Sequence, residues 1–297
     1  MVITYFQAIF IGLLQGITEL FPISSLGHSV IVPYILGWHN IVNSQTKTES
    51  FFLAFLVALH VATATALIIF YRKEWIKLIT GFFTSIKKRS ITTSHEKLIW
   101  LIIIATIPAG LTGLLLEHAL RTQFSRPLYA AIFLAVNGCI LLFGDRYAKK
   151  RAKRDKDFSL DSTAAHTAEA ISPKRAGIIG LAQTFALLSG ISRSGITIVS
   201  GLLSGLEYQD SARFSFLLAT PIIMGAGIYK LPDLFGPLGN GIRGQVLVGA
   251  IVAGIAAYIS VRFLDKYFKG KTLRPFGIYC LGMSTFVLSL GLIRGHF

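Results

Sequence analysis

Acidic side chains are scarce in this chain. Only 14 of its 297 residues are Asp or Glu, and charged residues of both signs make up 14%, against about a quarter in a typical soluble domain. The 29 Lys and Arg leave a net charge of +15. A soluble nucleic-acid binder would need far more charge in total, so nucleic acid is excluded as a partner. Cysteine is almost absent: Cys139 and Cys280 each stand alone in an apolar stretch, which excludes a disulfide framework and a cysteine metal cluster. No Lys or Arg precedes Lys47, so the basic segment of a cleavable signal peptide is missing. What is abundant is apolar. Hydrophobic residues reach 53%, with 22 Phe and 10 Tyr, and the mean hydropathy is +0.63. Disorder is excluded, and an integral membrane protein with basic loops remains.

Six charge-free runs are long enough to cross a bilayer: Phe51–Tyr71, Leu98–Leu116, Pro127–Gly144, Phe214–Tyr229, Gly244–Val261 and Pro275–Ile293. The fourth is short and should borrow polar residues from its N-terminal flank. Two further apolar regions are interrupted. Val2–Gly37 is broken at Pro22 by Pro-Ile-Ser-Ser-Leu-Gly, and Ala176–Leu206 is broken at Gly190 by Ser-Gly-Ile-Ser-Arg-Ser-Gly. Their trailing arms, Gly27–Gly37 and Gly195–Leu206, reach less than about 20 Å as helices, too short for a core of about 30 Å. Each region therefore reads as a re-entrant helix–loop–helix hairpin.

The basic residues give an orientation. Of the 29, 21 fall in the segments 72–97, 146–175 and 262–274, and the alternate connections hold six. The positive-inside rule places the richer side in the cytoplasm, with both termini and the 38–50 loop outside. The run Lys149–Lys156 then reads as a topology determinant touching anionic lipids. The two hairpins enter from opposite faces. A shift of 168 residues pairs Gly12 with Gly180, Gln15 with Gln183, Ser24 with Ser192 and Gly27 with Gly195. The expected fold is an all-α polytopic membrane protein of six transmembrane helices and two re-entrant hairpins in an inverted-topology repeat. It forms a single membrane domain, with halves 1–144 and 176–297 joined by a flexible basic linker, 145–175.

Irregular backbone at membrane depth survives only inside protein or beside a wet cavity. Loops entering from both faces should therefore meet, gathering Gln15, Glu19, Ser24, Ser25 and His28 with Ser189, Ser192, Arg193, Ser194 and Thr197. Gln15 and Glu19 share a helix face. Glu19 and Arg193 are the formal charges well inside the hairpins, where their cost makes function the default reading. Arg193 offers a planar fork for phosphate oxygens. Gly190 and Gly195 allow close backbone approach, and the helix after Gly195 would aim free N–H groups at an anion. Ser25 and His28 supply a hydroxyl and an imidazole, and Glu19 either holds a divalent cation or orients His28. An anion cradle, a nucleophile or base and a carboxylate point to phosphoryl transfer on a lipid phosphate or diphosphate.

The stretch Gln15-Gly-Ile-Thr-Glu-Leu-Phe-Pro-Ile-Ser-Ser-Leu-Gly-His28 resembles the first signature of the bacterial undecaprenyl-diphosphate phosphatases of the bacitracin-resistance type: Glu or Gln, three residues, Glu, then Pro-x-Ser-Ser-x-Gly-His. Their second signature, Pro-Gly-x-Ser-Arg-Ser-x-x-Thr, is matched by Ser189-Gly-Ile-Ser-Arg-Ser-Gly-Ile-Thr197. Further similarity runs through Leu59-His-Val61 and Ala212-Arg-Phe-Ser-Phe-Leu-Leu-Ala219. Gln15 leaves one carboxylate fewer than the motif allows. Ser189 replaces the usual Pro, which removes backbone rigidity but no reactive group. The resemblance implies hydrolysis of undecaprenyl diphosphate to the monophosphate and inorganic phosphate, recycling the carrier for peptidoglycan and conferring bacitracin resistance. It implies a divalent cation, Mg²⁺ or Ca²⁺, in the bacterial cytoplasmic membrane. The roles that follow are Arg193 as phosphate clamp, supported by Gly190, Ser192, Ser194 and Thr197. Glu19, assisted by Gln15, binds the cation or polarises His28, Gln15 and Ser24 join the substrate-binding set, and Ser25 or His28 is the attacking group unless water attacks directly. The site should open to the external side.

The competing reading is an inverted-repeat transporter or flippase for an anionic or phospholipid-linked substrate. Glu19 and Arg193 could also be no more than a structural ion pair, and His60, inside a span, a histidine satisfied by a neighbouring helix. Gln183 should mirror Gln15 structurally, and Gly12, Gly113, Gly138 and Gly282 should serve helix packing. The partners expected are the polyprenyl diphosphate and membrane lipids. Oligomeric state, homo-oligomer included, stays open.

Overall fold

The computed structural model of the chain describes residues 3–38, 40–41, 51–123, 126–154, 164–236 and 239–294. Among them every long element is an α-helix: α1 Tyr5–Thr18, α2 Ser25–Ile35, α3 Phe51–Phe70, α4 Arg72–Lys88, α5 Ser94–Gln123, α6 Pro127–Arg154, α7 Ala164–Ala170, α8 Pro173–Thr184, α9 Arg193–Leu203, α10 Tyr208–Lys230, α11 Arg243–Tyr267 and α12 Arg274–Ile293. Six of these, α3, α5, α6, α10, α11 and α12, are long and apolar enough to cross a membrane. They coincide with the six expected runs. Helix α10 does take its first turn from the polar flank, starting at Tyr208. The expected linker is only partly non-helical: α6 runs on to Arg154 and α7 follows. Residues 155–163 of that linker, and residues 39 and 42–50 of the outer loop, lie outside the described residues. Cys139 and Cys280 are both free.

The two broken regions fold as pairs of short helices, α1 with α2 and α8 with α9. Thr4 starts α1 with a capping box in which its hydroxyl accepts from Gln7 and the Gln7 side chain accepts from the Thr4 N–H. Ser172 caps α8, with Pro173 in the first turn. Ser24 and Ser192, at matching positions of the two loops, cap α2 and α9. Each accepts from a glycine three residues on, Gly27 and Gly195, at 3.1 Å in both cases.

Glycine decides how closely these short helices approach the long ones. A methyl group at Gly12 of α1 would overlap the carbonyl oxygen of Gly249 in α11, and one at Gly180 of α8 would overlap that of Ala105 in α5. Gly138 of α6 lies against Gly277 of α12, where an added carbon would come within 2.9 Å of the carbonyl oxygen. Gly113 and Gly282 differ: no described atom lies within 4 Å of a carbon added to either. The packing role expected of those two is therefore withdrawn. Accordingly, Gly12→Ala and Gly180→Ala should each destabilise the protein by about 1–3 kcal/mol through forced helix separation. Gly113→Ala should lower no melting temperature, which thermal denaturation in detergent would check.

Candidate active site

The two loops meet through a small set of cross-links. Ser24 adopts a positive φ of 71°, a strained conformation for a residue with a side chain. Its Oγ accepts from the Gly190 N–H at 3.2 Å as well as from Gly27. Gly190 itself has a φ of 109° and lies so close to α6 that a Cβ would overlap the Ala130 carbonyl, so only glycine fits there. Asn137 of α6 completes the tie, accepting from the Ser192 N–H and donating to the Pro22 carbonyl, both at 3.0 Å. Asn137 was not among the expected site residues; an amide side chain in the middle of a span was the available signal.

Glu19, at the C-terminal end of α1, is the centre of the cluster. Its Oε1 accepts from the Arg193 guanidinium at 2.9 Å, an ion pair with both side chains largely buried. Its Oε2 accepts from the Gln15 amide at 3.0 Å and from the Ser25 hydroxyl at 2.5 Å. The His60 Nε2 of α3 lies 3.3 Å from the same oxygen, while its Nδ1–H donates to the Leu56 carbonyl at 2.7 Å. His60 is thus satisfied within its own helix but also belongs to the site, which the Leu59-His-Val61 similarity could have indicated. Position 25 and position 193 correspond under the 168-residue shift. Equivalent places just after the two serine caps therefore present a hydroxyl from one loop and a guanidinium from the other.

Glu19, Ser25, His60, Ser192 and Arg193 line the floor of a cavity of about 570 Å³. Its wall is largely apolar, with Leu53, Leu56 and Val57 on one side and Leu187, Ile222 and Ile223 on another.

The remaining expected residues lie elsewhere. His28 is buried, donates from Nδ1 to the Ser24 carbonyl at 2.8 Å, and places Nε2 2.8 Å from the Tyr279 hydroxyl, against whose ring it stacks. It is neither a partner of Glu19 nor part of the cavity lining, so orientation of His28 by Glu19 is not what the structure contains. Ser194 donates to the Phe21 carbonyl at 3.2 Å, and Thr197 donates to the Arg193 carbonyl at 2.7 Å and contacts Ser215 Oγ at 2.6 Å. Both hold the second loop in place from behind. The Gly195 and Ile196 N–H groups are taken by the side chain and carbonyl of Ser192, so the expected free amides there are already spent on capping. The Ser189 hydroxyl is buried and has no partner among the described residues.

No group of three or more His, Cys, Asp or Glu among the described residues could hold a divalent cation. The Gln15 Oε1, however, is buried beside Glu19 with no partner among the described residues. Both Glu19 oxygens already accept, one from Arg193 and the other from Gln15 and Ser25. A cation here would find the Gln15 Oε1 free, would take Glu19 only in exchange for one of its present donors, and would complete its shell with water and substrate phosphate.

A family model described as bacitracin resistance protein BacA matches residues 8–286. An undecaprenyl-diphosphatase of Mycolicibacterium paratuberculosis is 50% identical over 288 aligned positions, covering 94% of each chain. An undecaprenyl-diphosphatase 2 of Frankia alni is 48% identical, covering 94% of this chain and 95% of its own. A further undecaprenyl-diphosphatase 2, from Chromobacterium violaceum, is 45% identical over 93% of this chain and 94% of its own. With the paired signature loops joined around Glu19 and the match running through nearly the whole chain, this protein belongs to the bacitracin resistance protein BacA family.

Proposed function

We propose that this protein is an undecaprenyl-diphosphate phosphatase of the bacterial cytoplasmic membrane. It hydrolyses the lipid diphosphate to the monophosphate and inorganic phosphate, recycling the carrier for cell-wall synthesis and depriving bacitracin of its target. Family membership and the activity named for the relatives support this. The structural observation that carries it is the Ser25 hydroxyl, held 2.5 Å from Glu19 beside Arg193, at the floor of a cavity with an apolar wall. A hydroxyl on a carboxylate base is an activated nucleophile, and a planar cation beside it suits phosphate oxygens.

In this reading Arg193 clamps the terminal phosphate and Ser25 Oγ attacks its phosphorus. Glu19 Oε2 takes the hydroxyl proton. The bridging P–O bond breaks, its electron pair leaves on the polyprenyl monophosphate, and the proton follows it. Glu19, ionised again, then takes a proton from a water that attacks the phosphoserine. The P–Oγ bond breaks, Ser25 recovers that proton, and inorganic phosphate departs. His28 positions the first loop through the Ser24 carbonyl rather than reacting. A divalent cation would be held by Glu19 and the Gln15 Oε1 and would offset phosphate charge. Gln15→Glu, which adds a second carboxylate, should lower the Mg²⁺ concentration for half-maximal release by about tenfold, as a metal titration would record.

The packing also supports an inverted repeat with halves 1–144 and 176–297. Gly12 of the first hairpin packs on α11, the second span of the opposite half, and Gly180 of the second hairpin packs on α5, the second span of the first. Two re-entrant hairpins related in this way meet near the midplane, and the charge bias puts Tyr229 and Lys230, which line the cavity from the end of α10, on the external side, which supports a site reached from there. The same plan favours a second reading as a flippase. Purified protein in detergent should release phosphate from undecaprenyl diphosphate with Mg²⁺ or Ca²⁺. No release under any condition, with lipid movement across vesicles instead, would replace the phosphatase by the carrier.

A further inference from the structure

Between the spans α3 and α5 the chain builds a helix of another kind. Helix α4, Arg72–Lys88, is about 25 Å long at about 1.5 Å per residue, and its three sides differ. Leu78, Gly81 and Ser85 are buried. Ile76, Ile79, Phe83 and Ile86 are each at least half exposed, and their spacing of three, four and three residues puts them in one stripe. Lys73, Lys77, Lys87 and Lys88 are exposed as well. They lie about a third of a turn round the helix from that stripe.

The contacts of the buried side show how α4 lies. Glu74 comes within 3.9 Å of His95, Gly81 faces the backbone of His95 and Glu96, and Ser85 Oγ accepts from the Trp100 indole N–H at 3.0 Å. In a helical hairpin the first turns of α4 would meet later turns of α5 than its last turns do. Here the order is not reversed, and about 16 Å of α4 stays against about 7 Å of α5. Helix α4 therefore crosses α5 steeply. Because α5 is long and apolar enough to cross a membrane and its apolar run starts at Leu98, a helix laid across residues 95–100 follows the membrane surface where the apolar core begins. Trp75 and Trp100 both belong to this crossing, and tryptophan is enriched at that depth.

The charges of the segment are sorted by direction. Its two carboxylates turn inward: Glu74 pairs with Arg213 of α10 at 2.6 Å, and Glu96 accepts from the Thr92 and Thr93 N–H groups at 2.6 and 3.1 Å. The four lysines turn outward beside the apolar stripe. A surface that takes isoleucine and phenylalanine into an apolar layer and meets lysine at its edge with negative charge is an anionic phospholipid leaflet.

We propose that α4 docks flat on the cytoplasmic leaflet and binds anionic phospholipid through Lys73, Lys77, Lys87 and Lys88. The inference is independent of the diphosphatase reading, because lipid binding is measured without substrate. Through Glu74 and Arg213 the docked helix also holds α10, whose later turns, from Pro221 to Lys230, line the active-site cavity.

The test uses delipidated full-length protein in detergent, titrated with phosphatidylglycerol or phosphatidylcholine and followed by its melting temperature. Phosphatidylglycerol should raise the melting temperature more than phosphatidylcholine, and the difference should shrink with added salt. Replacing the four lysines by Gln should weaken the phosphatidylglycerol affinity by about 100-fold, and replacing them by Arg should leave it near wild type. Neutralising Lys174, Lys266, Lys269 and Lys271 instead should change it little. An equal loss from those four would reduce the effect to net charge and overturn a site on α4, as would equal affinity of the wild type for the two lipids. The depth is read by adding one tryptophan in bilayers with brominated acyl chains. Quenching should be strong for Phe83→Trp and weak for Thr84→Trp, which lies on the lysine side, and equal quenching would overturn the docking. A stable dimer that Phe83→Asn turns into a monomer would give the stripe to a second copy of the chain and overturn it too.

Discussion

Ser25→Ala should reduce phosphate release from undecaprenyl diphosphate by roughly 10⁴-fold or more, the scale on which turnover falls when an activated nucleophile is deleted. The expectation follows from one short contact. The hydroxyl donates to Glu19 Oε2 at 2.5 Å and faces the cavity, so its removal takes away the attacking oxygen and leaves the Glu19 carboxylate with no hydroxyl to deprotonate. Removing the methylene-borne hydroxyl costs little packing, and the fold should survive. His28→Ala should act differently. It breaks the contacts to the Ser24 carbonyl and Tyr279 and should lower stability and kcat together by about 10–100-fold, with Tyr279→Phe reproducing part of the loss. Single-turnover kinetics with quenched samples would decide, because a phosphoenzyme should accumulate in wild type and be missing from Ser25→Ala. A Ser25→Ala protein within about tenfold of wild-type turnover would mean that water attacks directly.

Arg193→Ala should lower kcat/KM by about 10³-fold, as loss of a fixed cation on a transferring phosphoryl group does. A second effect accompanies it. Glu19 Oε1 would lose its buried partner, and breaking one half of a buried pair costs about 3–5 kcal/mol. Activity and melting temperature must therefore be measured on the same preparation. Arg193→Lys separates the two: a point charge restores most of the stability but not the bidentate fork, so it should melt near wild type and recover only about tenfold in rate. Full activity in Arg193→Ala would reduce the pair to a structural tie between loops.

Much of the architecture was legible because a membrane imposes simple rules on a chain. Apolar run lengths had to match bilayer thickness, which located all six long helices, and the short arms after Pro22 and Gly190 had to belong to something other than spans. The site was legible in its membership and less so in its arrangement. Ser25 and His28 lie one turn apart in the same motif, yet Ser25 faces the cavity while His28 faces Tyr279, a partner 251 residues away in sequence. Gly12 and Gly113 are the same residue in similar apolar surroundings. One touches a crossing helix and the other borders a cavity.

The sequence alone therefore determined the membrane class, the six helices, the charge asymmetry and the chemical inventory of the two loops, because each depends on local composition or chain length. Tertiary structure decided which members of that inventory meet. It gave Glu19 to Ser25, His60 and Arg193 instead of His28, closed both loops on Asn137, and left the Gln183 amide with no partner among the described residues. Those outcomes depend on the angle at which distant helices cross, which apolar periodicity does not encode.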